Sequence, residues 1–409
     1  MSVQLKPPRE RRMEHALEAL FREARMLERR RRRRHALIVG FALVAVAAVA
    51  YTVVQVSSGP ASKRGGQPSS GVASVGVSVA PKDPSTLAVG PNGVLYIADP
   101  GRQEILKRLP GGRFEVAVGT DVAGDSGDGG PATRAEVDRP SSMAIARNGA
   151  LYFAQQGRGF YDAGDASGPP TVVREVAPSG RITTVVGAHP ACRVAGATAR
   201  SIPAQDAFIS DPALAIGPNG NLYLSTNLCP NALRGGPLLE LTRSGSLIAA
   251  PLNNRIAAGC GYSGLAFSAS GAVYIACDSG AGHRKELLIV GPNGTTKAFP
   301  GIYPYDDSSG FTTAPDGTVI AIDYLKVVSV TPQGARTIID LGYDAHHKFL
   351  GTVRGISGSM EPNGIAVDRH ANIYLASTSA FGNGTFTGII EIHAGGRVQV
   401  LWSRPSSSG

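Results

Sequence analysis

This sequence is poor in cysteine and, outside one tail, in net charge, and each shortage removes a class of protein. Four cysteines in 409 residues are too few for a disulfide-stapled scaffold. None stands in a CxxC pair, so zinc-ribbon and thioredoxin-type motifs are excluded. No glycine-rich phosphate loop, nucleophile elbow or Ser/His/Asp order stands out, which removes the common nucleotide-binding and α/β-hydrolase signatures. Basic charge is scarce outside one tail. The formal charge is +9, but residues 1–35 hold 12 of the 40 Lys and Arg and 5 of the 31 Asp and Glu, leaving 28 basic and 26 acidic residues elsewhere. A nucleic-acid partner is therefore not indicated for the bulk of the chain. Helical periodicity is also scarce after residue 60, while 52 glycines and 28 prolines point to an all-β chain with many turns.

What the chain does have is a repeat. Residues 87–119 read as four short strands, Leu87–Gly90, Leu95–Ala98, Ile105–Leu109 and Phe114–Val118. Pro91-Asn92-Gly93 joins the first two. Asn-Gly between apolar runs predicts a tight hairpin whose two central residues both take positive φ. The same hairpin core recurs around Tyr152, Tyr223, Tyr274, Ile320 and Tyr374, each time followed by a second glycine turn. Six four-stranded units, each too small to bury both faces alone, predict a closed six-bladed β-propeller with antiparallel blades over residues 81–402.

These repeats resemble the NHL-repeat family of six-bladed β-propellers, which grades into gluconolactonase-like and strictosidine-synthase-like propellers. The nearest local likeness is Gly127-Asp128-Gly129-Gly130-Pro131-Ala132 through Ala135 to Pro140, similar to an inter-blade segment of bacterial NHL proteins. The resemblance implies a structural turn for Asp125 and Asp128. It specifies architecture more than activity, because such propellers include binding modules and enzymes.

Ahead of the repeats, Met13, Leu17, Leu20, Phe21, Ala24 and Leu27 recur at helical spacing among arginines and glutamates, so residues 1–35 are expected to hold a basic amphipathic helix. Residues 36–56 carry no charge and are long enough to cross a bilayer. Arg29–Arg34 lie immediately before them, which places the N-terminus in the cytoplasm and the propeller outside. The lipid bilayer is thus an expected partner, and the protein is expected to be single-pass in the cell membrane of a bacterium. A cleavable signal peptide is the alternative. Residues 57–80 read as a flexible Ser/Gly/Pro linker, although 72–79 alternate and are an alternative extra strand for the last blade. Residues 403–409 read as a disordered tail.

In a four-stranded blade the first and third turns share one face, and the other connections share the opposite one. All long insertions fall in the second set, at 120–140, 155–171, 188–211, 226–237, 341–362 and 377–387. Such loops on a rigid frame carry recognition. Phe160, Tyr161, Phe349 and Phe381 are the expected contact residues, with His189 and His346 beside them. Cys192 and Cys229, and Cys260 and Cys277, stand in parallel positions around blades three and four, which suggests two bridges in an oxidising compartment. A Cys/His zinc site is the alternative.

Enzymatic readings come from the resemblance. Lactonase-like propellers hold a central divalent ion with Glu, Asn and Asp, and Glu361, Asn363, Asp211 and Asp323 lie near strand ends where such ligands could point inward. Some NHL-type lyases use histidines. The leading reading is a binding module for a protein, peptide or cell-envelope glycan, with no cofactor predicted. The alternatives are a lactonase-like hydrolase or lyase using calcium or zinc, and a sensor acting through a partner of the cytoplasmic helix.

Overall fold

The computed structural model describes residues 78–156, 171–187, 201–228, 238–250, 261–278, 285–299, 310–323, 326–341, 360, 362–378 and 386–404. All lie in the second of two units, Val75–Gly409. They form six antiparallel sheets. Blade 1 comprises Leu87–Val89, Leu95–Asp99, Glu104–Arg108 and Phe114–Gly119; blade 2 comprises Pro140–Ile145, Leu151–Gln155, Val172–Val176 and Ile182–Val186. Blade 3 comprises Ile209–Ile216, Leu222–Leu228, Leu238–Leu241 and Ser246–Ala249; blade 4, Gly261–Phe267, Val273–Asp278, Lys285–Val290 and Thr296–Phe299. Blade 5 comprises Phe311–Thr313, Val319–Asp323, Lys326–Thr331 and Gly334–Asp340; blade 6, Pro362–Val367, Ile373–Ser377, Gly388–Ile392 and Val398–Ser403.

The ring closes. First strands of successive blades touch all the way round, including blade 6 on blade 1, so they line the axis. Six apolar clusters fill the six spaces between blades. Phe153 and Leu151 of blade 2 pack with Ile105 and Val118 of blade 1. Tyr374 and Ile389 of blade 6 pack with Ile97 and Phe114 of blade 1. Strands are buried on both faces near the axis, which is why the second strands read as near-continuous apolar runs. Among the described residues no strand is exchanged between blades at the closure. Val79 donates its N–H to Phe114 O at 2.9 Å, on blade 1's own outer strand, and blade 6 has four strands of its own. An extra strand from 72–79 on the last blade is therefore not what residue 79 does.

Two sequence expectations are corrected. The Asn-Gly turns are not two-residue hairpins. Gly93 has φ 79°, whereas Asn92 is absent from the positive-φ residues. Gly90 N–H donates to Val94 O at 2.9 Å and Gly93 N–H to Gly90 O at 2.8 Å, so the turn spans five residues with one left-handed glycine. Asn92 acts through its side chain, whose Oδ1 accepts the Val94 N–H at 3.2 Å. The second correction concerns 120–140 and 188–211, expected as loops on one face. Gly129 and Ala132 N–H bond to Ile182 O and Gly180 O at 2.7 and 2.8 Å, along the outer edge of blade 2. Ser201–Pro203 likewise add a fifth strand outside blade 3.

Among the described residues no helix is long and apolar enough to cross a membrane. The expected amphipathic helix, the 36–56 span, most of the 57–80 linker and residues 405–409 lie outside the described residues.

Candidate functional site

The two ends of the ring are built differently. At one end the first turn of every blade has five residues: 90–94, 146–150, 217–221, 268–272, 314–318 and 368–372. The third turns there have two to five. At the other end the second and third strands are joined by four residues in blade 1 and two in blade 5, but by 16 in blade 2 and ten in blade 6. The longer connections at this end are the candidate recognition surface.

In blades 1, 2 and 6 the same end is laced by polar side chains three residues past the repeat tyrosine. Asp99 is fully buried and accepts the Lys82 and Asp83 N–H groups at 2.7 and 2.9 Å. Burial raises its carboxyl above the ordinary value, with those two hydrogen bonds opposing. Gln155 donates to Gly124 O at 3.1 Å, and Ser377 to Phe386 O at 2.9 Å. Each ties an incoming or outgoing segment to its blade. Asp323 occupies the equivalent place in blade 5.

Arg174, fully buried in blade 2, holds the segment before that blade. Its guanidinium reaches Asp128 at 2.6 Å, Glu136 O at 2.8 Å and Ser126 O at 3.0 Å. Asp128 also accepts the Thr184 N–H at 2.7 Å. Burial alone raises the Asp128 carboxyl, but the Arg174 bonds and the Thr184 N–H outweigh it and hold the group below its usual range. Asp128 is thus committed to the fold, as the family likeness implied.

The expected site residues divide sharply. Phe160, Tyr161, Phe349, Phe381, His189, His346, Glu361, Cys192, Cys229 and Cys260 lie outside the described residues. Cys277 is on the second strand of blade 4 and Asp211 on the first strand of blade 3, with side chains not described. Asn363 is in the first strand of blade 6, where its amide nitrogen donates to the Thr378 hydroxyl. Asp211 and Asn363 both fall in bulges at the start of first strands, on opposite sides of the ring. Gly364 beside Asn363 has its own reason: a Cβ there collides with the Ser85 carbonyl oxygen of blade 1. Among the described residues no three His, Cys, Asp or Glu side chains gather as metal ligands, so the described side chains do not by themselves form a cation site.

Sequence reasoning missed a polar network at the uniform end. Register places Glu175, Glu240 and Glu391 opposite Tyr152, Tyr223 and Tyr374. In blade 6 the Tyr374 hydroxyl lies 3.2 Å from both Asp368 and Glu391. Burial, then those two charges, raise its phenol far above the ordinary value. Asp368 also accepts the His370 and Asn372 N–H groups at 2.7 and 2.9 Å. In blade 3, burial and then the Glu240 hydrogen bond leave the Tyr223 phenol pushed up to about 12. The available signal was a glutamate closing an apolar third strand, as in Leu238-Leu239-Glu240.

Six closed blades with one elaborated end define the chain as a six-bladed β-propeller. No protein-family model matches the sequence, and no curated protein matches it. Solved propellers are similar at low identity. Virginiamycin B lyase from Staphylococcus aureus, in a catalytically inactive form with quinupristin, is 11% identical with a TM-score of 0.45, over 80% of this chain and 86% of that one. A gluconolactonase from Xanthomonas campestris is 12% identical with a TM-score of 0.37, over 81% and 79%. PQQ-bound aldose sugar dehydrogenase from Streptomyces coelicolor is 12% identical with a TM-score of 0.42, over 79% and 96%. The propeller assignment rests on the six sheets and the six interfaces between them.

Proposed function

We propose that this chain is a membrane-anchored binding module, displayed outside the cytoplasmic membrane by residues 36–56. Its ligand is a protein, peptide or cell-envelope glycan held at the end with long connections. The observation behind this reading is the contrast in connection length: five residues in all six first turns, against two to 16 between second and third strands. A rigid ring needs short turns to hold its blades, and it has no structural use for a 16-residue connection where four suffice in blade 1. Phe160, Tyr161 and Phe381 belong to such connections, and Phe349 to the 341–361 segment between blades 5 and 6. Aromatic side chains of this kind supply the large contact areas of protein interfaces.

The test is photo-crosslinking in intact cells, using the full chain with a photoreactive residue at Phe160, Phe349 or, as control, Asn92 or Asp316. Adducts at the first two positions and none at the controls support the reading. Adducts confined to the controls contradict it.

A lactonase-like hydrolase or lyase is the second reading, favoured by the bulges that carry Asp211 and Asn363. Bulges re-aim side chains and recur beside active sites. Elemental analysis of the full chain after dialysis, repeated on Asn363→Ala, tests it. Stoichiometric calcium or zinc lost in the variant supports the enzyme, and metal content unchanged by the substitution counts against it.

A further inference from the structure

A cleft of about 720 Å³ opens at the uniform end, between blades 2 and 3. That size is within the range of small-ligand pockets, about 300–1,000 Å³. Its walls are the first turn of blade 3 at Asn219–Leu222, the third turn of that blade at Leu241–Gly245, and the facing side of blade 2 at Tyr152, Glu175, Thr184 and Val185. Pro203 and Gln205, from the segment running along blade 3, add to the lining.

The lining is both polar and apolar. Among the described residues Glu175 and Arg243 are the charged groups on its wall. Asn148, Thr184, Asn219 and Asn221 contribute amides and a hydroxyl, while Val185, Leu222 and Leu241 contribute apolar surface. Several of these groups are already held in place. Glu175 stands opposite Tyr152 on the neighbouring strand, and burial, then that carboxylate, raise the tyrosine's phenol. Asn219 and Asn221 donate to Glu240 at 2.9 and 2.6 Å, which fixes both amides on the strand ends. Preset partners spare a ligand the entropy of ordering them.

We propose that this cleft binds a neutral saccharide of one or two rings. A sugar hydroxyl both donates and accepts, which suits a wall that alternates carboxylate, amide and hydroxyl groups. The C–H faces of a sugar ring suit Tyr152 and the aliphatic side chains. Glu175 on the wall and Glu240 directly behind Asn219 and Asn221 outnumber the Arg243 guanidinium, so phosphorylated or acidic ligands are disfavoured on desolvation. The site lies at the end opposite the long connections and stands independently of what that face binds.

The test is saturation-transfer NMR and calorimetry on the full chain, in a detergent without sugar headgroups. The probes are glucose, N-acetylglucosamine, cellobiose and trehalose, against glucuronate and glucose 6-phosphate. At least one neutral probe saturates the site. Glu175→Gln weakens it about tenfold, as expected for loss of a charge-assisted hydrogen bond. Val185→Trp, which fills the cleft from its own wall, abolishes binding, and a melting curve confirms its fold. If Val185→Trp is unstable, Glu175→Gln carries the test alone. Absence of binding by all four neutral probes, preference for a charged probe, or affinity unchanged in Glu175→Gln overturns the proposal. The crosslinking at Phe160 and Phe349 reads the other end and does not depend on these outcomes.

Discussion

The two ends of this ring obey different rules. At one, five residues with one left-handed glycine make the same turn in blades 1 to 5, at Gly93, Gly149, Gly220, Gly271 and Gly317. At the other, the connection between second and third strands varies from two to 16 residues, while buried polar side chains such as Asp99, Gln155 and Ser377 stay at one repeat position. The comparison teaches where the sequence is constrained. Turn geometry and the polar ties hold the blades; the length between the ties is free to change.

Cutting a tie has the largest expected effect. Arg174→Met leaves Asp128 and the carbonyls of Ser126 and Glu136 without their partner. Arg174 is buried, but the Asp128 side chain is 41% exposed and keeps the Thr184 N–H. The cost is therefore that of charge-assisted hydrogen bonds and stranded carbonyls, about 2–3 kcal/mol, read as a lower midpoint in denaturant. Breaking the uniform turn comes next. A Cβ at Gly220 meets nothing within 4 Å, yet its φ is 81°. Gly220→Val therefore costs only conformational energy, about 1–2 kcal/mol. The melting temperature falls while the rest of the fold is retained.

Two substitutions sharpen the repeat. Ser225 stands where blades 1, 2, 4 and 6 have Ala98, Ala154, Ala276 and Ala376, and its buried hydroxyl has no hydrogen-bond partner among the described residues. Ser225→Ala is expected to stabilise by about 1 kcal/mol. In blade 6 the left-handed turn position is Ala371, at φ 62°, where the first five blades have glycine. Ala371→Gly relieves about 1 kcal/mol of strain, less the backbone entropy glycine loses on folding. Differential scanning calorimetry checks both.

The smallest effect is on pH dependence. Asp128 and Asp368 are held below the ordinary carboxyl value of 3.8. Their ionised forms therefore stabilise the fold above that value, and the contribution is lost as pH falls through their folded-state values. Asp99 is raised and acts in the opposite sense, losing stability as pH rises. Asp128→Asn is expected to flatten the acid limb of the melting curve below about pH 4.

Much of the frame was legible. The four strands of blade 1 were placed within a residue or so at each end, because apolar alternation and glycine punctuation are local signals. The turn type was not, since Asn-Gly serves two turn geometries and the flanking residues decide between them. Pairing across long sequence separation was also hidden. Nothing near Arg174 points to Asp128, 46 residues earlier, and nothing near Ser201–Pro203 marks it as a fifth strand. Its connecting segment does carry a signal that went unread: Pro203-Ala204 with Ala207 repeats the spacing of Pro131-Ala132 with Ala135. Of the candidate site residues, Asp211, Cys277, Asp323 and Asn363 lie on strands, and the others fall in connections outside the described residues.

The division of labour between the ends is tested most directly on one variant, with 156–171 replaced by the four residues Pro100–Gln103 of blade 1. Melting temperature and photo-crosslinking from Phe349 are read together. The account predicts a midpoint within about 2 °C of the parent and loss of the Phe349 adducts. A collapsed midpoint, or adducts unchanged by the replacement, contradicts it.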